Sequence, residues 1–295
     1  MEETTMLDSK LETFLTVARL GSYTLAANEL HITQPAVTQH VRKLEEYYGC
    51  RLIDFTGHQL RLTAAGELLL RYGTLQQANE RAMLEQMEGV SRTLRVGATL
   101  SIADYYLPAL LGPHLGERGW GLSLQVGNTE EMLDKCARGE LDCAFIEGMF
   151  GGEDFCRHVL LTEDFLPVAG AGHPLVGRTC TLEELFPYPL VLREKGSGTR
   201  AILETHLFQQ GRTAQAFARV MECGSFQMIK EILKRTQAVS FLYRGVAQKE
   251  AEAGELVWLE AEGFPIRRPL YFAYPKNSMT RRSCEAFFRR VAGEN

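Results

Sequence analysis

The 295-residue sequence has no excess of positive charge: 32 Lys and Arg stand against 37 Asp and Glu, a formal net charge of -5. Capture of nucleic acid by bulk electrostatics is thereby excluded, and any polyanion must be met by charges placed locally. No apolar run reaches the roughly 20 residues that span a bilayer, so no membrane partner is expected. The acidic opening MEETTMLDSK lacks an apolar core and reads as neither secretory signal nor transit peptide. Seven cysteines (Cys50, Cys136, Cys143, Cys156, Cys180, Cys223 and Cys284) form no C-x-x-C pair and no Cys/His metal spacing. A reduced, cytoplasmic setting without metal or cofactor is expected from that pattern. H-E-x-x-H and G-x-S-x-G are missing too, which removes the common zinc-protease and serine-hydrolase signatures. His31, His40 and His58 therefore read as surface or interface groups, and Ser197 has no histidine near it in sequence.

What is present is enough apolar content, 45%, for two or three compact domains. The stretch from Leu11 to Gly66 reads as a helix-turn-helix with a wing. Leu7, Leu11, Phe14, Leu15 and Ala18 recur on one helix face, and Gly21 ends that helix. Ser22 or Thr24 caps a short second helix in which Leu25 and Leu30 are expected to point inward, with Ala26 and Ala27 small enough for close approach. Thr33 opens a third helix, and Pro35 sits in its first turn, where a missing N–H is harmless. Val37, Val41 and Leu44 bury one face of it. Gln34, Thr38 and Arg42 are turned outward in a second stripe, with Gln39 beside them. Gln can pair with an adenine edge, Arg with guanine, and Ala36 or Thr38 with a thymine methyl or a phosphate, so this stripe suits the major groove of double-stranded DNA. The plainer alternative is a small helical domain with an ordinary solvated face. Residues 1 to 66 hold six basic side chains against eight acidic ones, so affinity must come from where the charges sit.

The run AANELHITQPAVTQHVRKLEEYYG, continued by Leu62, Thr63, Ala65 and Gly66, resembles the N-terminal domain of the LysR-type transcriptional regulators. One departure stands out. The family usually carries an arginine in the wing shortly after a Leu-Phe pair, whereas this chain reads Leu52-Ile53-Asp54-Phe55, leaving His58 and Arg61 as candidate substitutes. The resemblance implies DNA contacts from Gln34, Pro35, Thr38, Gln39 and Arg42, with His58 and Arg61 in the wing.

From Ala64 to about Val90 the sequence reads as one helix, with Leu68, Leu75 and Ala82 spaced by seven and Tyr72, Ala78, Met83 and Met87 in neighbouring rows; Gly73 weakens it slightly. Such a helix between domains seeks a second copy, and a two-fold pair would present its recognition helices to two half-sites. Domains are expected at 1–66 (winged helix-turn-helix), 67–90 (linker and dimerisation helix) and 91–295 (effector domain, with one subdomain at about 91–165 and 267–295 and another at about 166–266).

After Val90 strands alternate with helices. Strands are expected at Leu94 to Ala98, Gly121 to Gly127, Cys143 to Glu147, Pro189 to Arg193, Phe217 to Glu222, Ala238 to Tyr243 and Arg268 to Ala273. Helices are expected at Ala103 to Leu115, Glu130 to Arg138, Thr199 to Gln210, Phe226 to Arg235 and Ser278 to Val291. This alternation predicts parallel sheet with crossover helices in two α/β halves, and a ligand cleft beyond the carboxyl ends of the strands. The loops there supply Thr99, Ser101, Asn128, Glu147, Gly196, Ser197, Gly198, Thr199, Gly224 and Ser225 as candidate effector contacts. Helix N-termini favour an anion or carboxylate, to which Arg193 and Arg200 could add charge, while Glu147, Glu194 and Glu222 argue for a polar or zwitterionic ligand.

This half also resembles the LysR-type effector domain, which is similar to periplasmic solute-binding proteins; REKGSGTR, Arg193 to Arg200, is a variant of its pocket loop. Where the family often has a glycine-rich turn this chain has KRTQAV, so contacts from that turn are not carried over. The expected fold is a multidomain chain: an all-α winged helix-turn-helix, a long linker helix, and a two-lobed α/β periplasmic-binding-protein-like domain. The expected function is a LysR-type regulator, not an enzyme, whose promoter binding is modulated by a small, anionic effector. It would act as a homodimer or homotetramer, with RNA polymerase as a further candidate partner. Two other readings use the same residues. Gly196 to Ala201 fits G-x-G-x-x-A, with Glu222 as the ribose acid of an NAD(P)-binding enzyme. A solute-binding protein without a DNA role would explain residues 91 to 295 but not the first 90. Cys223, at a helix start, is either a redox sensor or a buried, inert side chain.

Overall fold

The structure, a computed structural model, describes residues 8–56, 59–87, 93–114, 121–148 and 154–293. It divides into two compact units: Met1–Arg92 with Lys135–Leu141 and Asn277–Arg282, and Thr93–Asp134 with Asp142–Lys276 and Ser283–Asn295.

In the first unit, helix α1 (Ser9–Leu20) is capped by the Asp8 carboxylate, which accepts from Lys10 N at 2.8 Å, and ends at Gly21 with φ +63. Helix α2 (Tyr23–Glu29) is capped by Ser22, whose hydroxyl accepts from Leu25 N at 3.3 Å. Helix α3 (Gln34–Tyr48) starts at Thr33, whose hydroxyl accepts from Ala36 N, carries Pro35 in its first turn, and stops at Gly49 with φ +67. Each boundary thus has its own chemical cause. Phe14, Val17, Ala26, Val37, Val41, Leu52 and Leu69 form the core. The expectation for α2 is corrected: Ala26 and Ala27 are its buried residues and Leu25 is 53% exposed. On a seven-residue helix lodged against two others, small side chains take the contact face and the larger one is pushed out.

Strands β1 (Ile53–Thr56) and β2 (Gln59–Leu62) pair antiparallel as a wing, with Asp54 opposite Arg61. Helix α4 (Ala64–Met87) follows. Its Gly66 lies where any side chain would collide with the Leu52 carbonyl, and a Cβ on Gly73 would stand 2.8 Å from Leu15 Cδ2. A side chain at 73 would have to displace the ends of Leu15 and Leu11, so this glycine lets α4 pack closely on α1 as well as weakening the helix. The sevenfold row does not share one environment: Leu68 is 63% exposed while Ala82 is fully buried. Val90, the expected end of this helix, lies outside the described residues.

The remaining elements are β3 (Thr93–Thr99), α5 (Leu100–Tyr105), α6 (Leu107–Leu111), β4 (Gly121–Gly127), α7 (Thr129–Ala137), β5 (Cys143–Ile146), β6 (Phe155–Gly170), β7 (Pro189–Leu192), α8 (Gly198–Gln209), β8 (Arg219–Glu222), α9 (Phe226–Arg235), β9 (Val239–Tyr243), α10 (Arg244–Glu252), β10 (Leu256–Trp258), β11 (Ile266–Pro275) and α11 (Arg281–Ala292). Strand order is β4-β3-β5-β11-β6-β9-β7-β8, with β10 added beside β6. The pairs β3/β4, β3/β5, β7/β8 and β7/β9 are parallel, as expected. The expectation of a parallel sheet throughout is corrected by β6, which runs antiparallel to β9, β10 and β11.

Strands β6 and β11 tie two lobes together. The start of β6 pairs only with β11, which also pairs with β5, while its end lies between β9 and β10. Their mutual register shifts between Leu270 and Tyr271. Three elements, β6, α10 and β10, were not foreseen. In β6 the first residues are partly exposed and the last six are buried on both faces, so no single period runs through it. Helix α10 buries only Val246 and Ala247, and β10 is three residues long. The helix expected at Ala103 to Leu115 instead begins at Leu100 and breaks at Tyr106, ahead of Pro108; Leu115 is outside the described residues.

Candidate functional site

Gln34, Pro35, Thr38, Gln39 and Arg42 are all exposed on the face of α3 opposite Val37, Val41 and Leu44. Gln34, Thr38 and Arg42 line a concavity of about 1050 Å³ that also includes Tyr23, Arg51, Phe55 and Leu60. Thr38 Oγ1 donates to the Gln34 carbonyl at 3.1 Å, which holds the hydroxyl on the helix. Arg42 Nε donates to Glu46 Oε1 at 3.0 Å, but these side chains are 77% and 62% exposed, so water competes and the pair opens at little cost. Arg61 is exposed on β2, and His58 lies outside the described residues. Phe55, 61% exposed, stacks on Tyr23 with ring centres 6.2 Å apart. The wing therefore offers an aromatic surface to this concavity, beside the guanidinium of Arg51.

In the second unit the loops after β3, β5 and β7 converge. Glu147, 1% exposed, follows β5, and its Oε2 accepts a hydrogen bond from the Ser101 hydroxyl. Burial pushes the Glu147 carboxyl up to about 7, against the Ser101 hydrogen bond and Arg193, which pull it down, and with Glu194 adding to the rise. Thr129 Oγ1 donates to the Glu147 carbonyl at 3.0 Å. Gly148 and Gly198 bring the lobes into direct contact, since a Cβ on Gly148 would stand 2.8 Å from Gly198 Cα. Ser197 and Thr199, both buried, have hydroxyls 2.8 Å apart, and neither side chain caps α8. The α8 amides at that end are left without a side-chain cap.

The remaining predicted contacts divide. Thr99 is 2% exposed with no hydrogen-bond partner for Oγ1. Asn128 Oδ1 accepts from Glu131 N at 2.9 Å, and a Cβ on Gly196 would stand 3.2 Å from its amide nitrogen. Ser225 is exposed and its hydroxyl accepts from Met228 N at 3.3 Å as the cap of α9; Gly224 lies near Glu194. Arg200 has its charge consumed by Glu204 at 2.8 Å, Glu222 at 2.6 Å and the Arg193 carbonyl at 3.2 Å. The bond to Glu222 also occupies the acid which a dinucleotide ribose would need. Gly198 is packed onto Glu147, where a pyrophosphate would have to approach.

Arg193 is the group that spacing alone undervalued. It is 5% exposed, holds Glu194 through Nε and Nη2 at 2.7 and 2.8 Å, and lies over the Phe226 ring at 4.1 Å. Its Nη1 is buried with no partner. Lys230 was missed altogether: 4% exposed, it pairs with Glu250 at 2.6 Å and lies 5.0 Å from the Tyr105 ring centre. The signal was a lysine inside the apolar stripe Phe226, Ile229 and Leu233 of α9. Tyr106, half-buried and donating to Glu163 at 2.9 Å, and the buried Tyr243 both lie within electrostatic reach of Glu147. Among the described residues no helix is long and apolar enough to cross a membrane.

Residues 9–67 match the family described as bacterial regulatory helix-turn-helix protein, lysR family, and residues 87–294 match the LysR substrate binding domain. The chain is 32% identical over 291 residues to the RuBisCO operon transcriptional regulator of Allochromatium vinosum, covering 97% of this chain and 95% of that one. It is 34% identical over 267 residues to the HTH-type transcriptional regulator CbbR of Rhodospirillum rubrum, covering 89% and 88%. Among solved structures, the Synechocystis CcmR regulatory domain in complex with 2-PG superimposes with a TM-score of 0.62 at 25% identity, covering 68% of this chain and 96% of that domain.

Proposed function

Because this chain belongs to the LysR family of transcriptional regulators and is not an enzyme, we propose that it reads an interrupted inverted repeat in promoter DNA through Gln34, Thr38, Gln39 and Arg42, and that a small anion in the inter-lobe cleft modulates this binding. Phosphate and backbone contacts come from Pro35, Arg61 and the wing around His58, while base edges are met by the α3 stripe. A homodimer or homotetramer supplies the two half-sites, and α4, with Leu68, Tyr72 and Met87 exposed, offers apolar surface for pairing. The protein acts in the cytoplasm, where bound effector shifts the oligomer between arrangements that differ in their promoter contacts and in their access to RNA polymerase.

One observation carries the anion: Arg193, whose charge acts on Glu147, presents a buried guanidinium N–H with no partner, and the Thr99 hydroxyl at the end of β3 is also buried and unpaired. Such donors are costly unless something accepts from them. Thr99, Ser101, Ser197 and Thr199 surround the anion, with Asn128, Gly196, Gly224 and Ser225 at the margins. The similar CcmR regulatory domain is a precedent for a small ligand there, having been solved in complex with 2-PG. Mobility-shift and footprinting experiments with the full-length protein on its own upstream DNA test the first half, and absence of any retarded complex at low ionic strength would overturn it. Thermal-shift screening of the full chain against small carboxylates and oxyanions tests the second, with Thr199→Val expected to lose the shift and keep basal DNA binding.

A further inference from the structure

Pairing among its neighbours leaves one buried acid in the cleft without a counter-charge of its own. Arg193 is held by Glu194 through two hydrogen bonds, and Lys230 by Glu250. Around Glu147 stand the Ser101 hydroxyl from α5, Tyr106 between α5 and α6, Arg193 and Glu194 after β7, the Gly198 backbone at the start of α8, and Tyr243 at the end of β9. The two tyrosines are themselves pushed above the usual phenol range, chiefly by burial, so both stay neutral within electrostatic reach of Glu147, the Tyr106 hydroxyl donating to Glu163. Among the described residues Arg193 is the cation acting on it, and Glu194 opposes that pull.

An anion entering this cleft meets an ionised Glu147 as a like charge in a place that water has left. Two such charges at close range do not both persist. We propose that the anionic effector is bound together with one proton, Glu147 being a neutral carboxylic acid in the liganded cleft and donating its O–H to an effector oxygen. The inference rests on the reading of the cleft as an anion site. The proton comes from solvent and goes to Glu147 Oε1, since Oε2 accepts from Ser101; no other covalent bond is made or broken. Arg193 Nη1 and the Glu147 O–H then approach the same ligand as donors. The receptor thereby reports anion and acidity jointly, because the occupied form holds a proton that the empty form releases as pH rises.

The test uses full-length protein and two divalent probes, sulfate and oxalate, which do not titrate in the working range. Affinity is measured by isothermal titration calorimetry from about pH 6 to about pH 8.5, in buffers of different ionisation enthalpy. With Glu147 titrating at about 7 in the empty cleft, wild-type affinity falls by up to about thirtyfold across that range. Near the upper end, close to one proton is taken up per anion. Glu147→Gln, which mimics the neutral acid, binds without pH dependence and without proton uptake. Equal wild-type affinity at both ends, or a slope that survives in Glu147→Gln, would overturn proton coupling while leaving the anion site intact. Affinity that rises with pH would also overturn it, because the anion would then prefer the cleft with Glu147 ionised. If neither probe binds saturably at any pH, the anion reading itself fails, and the inference with it.

Discussion

A Cβ on Gly198 would stand 2.6 Å from both Cγ and the carbonyl oxygen of Glu147, so the first turn of α8 is closed onto the end of β5 at a distance that only glycine permits. This is the point where loops from the two lobes touch, and the residues inferred to hold effector lie on either side of it. Replacing Gly198 by Ala wedges the loops apart, at an overpacking cost of about 1–3 kcal/mol. The expected outcome is an effector-induced rise in Tm that needs at least about tenfold more ligand, with basal DNA binding unchanged. An unaltered dose response would show that this contact has no part in ligand-linked closure.

Arg42 is exposed and its bond to Glu46 is solvent-competed. Arg42→Ala is expected to weaken binding to the specific promoter site by about 1–3 kcal/mol and to relax preference at one base pair. Glu46→Ala, which frees the guanidinium and removes a negative charge from the same helix, should strengthen binding. Fluorescence anisotropy at fixed ionic strength checks both; equal affinities for the two variants would remove Arg42 from the reading face.

How much of this was legible beforehand depended on whether one local signal dominated. The cap at Thr33, the stop at Gly21, and strands such as Gly121–Gly127 were readable because turn chemistry and hydrophobic period agreed, whereas the cap of α2 was narrowed only to Ser22 or Thr24, of which Ser22 serves. Strand β6 was not, since its two ends lie in different surroundings. The small and hydroxylated members of the cleft were legible from loop composition. Lys230 and the free edge of Arg193 were not, because a charged side chain becomes informative only once its burial and its partners are known. Gly73 shows the same limit from the other side: sequence gives its cost to the helix, and only packing gives its reason.

His31, in the turn between α2 and α3, has φ +53, a left-handed conformation that a histidine adopts at a cost of about 1 kcal/mol. Asn tolerates this region better because its short side chain bonds locally to the backbone. His31→Asn is therefore expected to raise the stability of the first unit by about 0.5 kcal/mol, seen as a small upward shift in the urea midpoint. His31→Val, β-branched at the same angle, should lower it. If both variants unfold alike, strain at this turn is not a stability term.

Glu147 also makes a prediction about folding without ligand. Its folded-state value of about 7 lies above the ordinary 4.5, so between those values the folded protein keeps a proton that the unfolded chain has lost. A raised acid weakens the fold as pH rises: the penalty is absent below about 4.5, grows through the interval, and is complete above about 7, where it amounts to about 3 kcal/mol. Glu147→Gln removes the ionisation and keeps an acceptor for the Ser101 hydroxyl. The variant should therefore match wild type in urea unfolding near pH 4 and exceed it by an amount that increases to a plateau near pH 8. The difference between the two proteins is the quantity to follow, because histidines and other groups titrate alike in both and cancel. Parallel stability curves across that range would mean that Glu147 is solvated in the folded protein, and the buried acid would then lose its place in both the stability argument and the ligand argument.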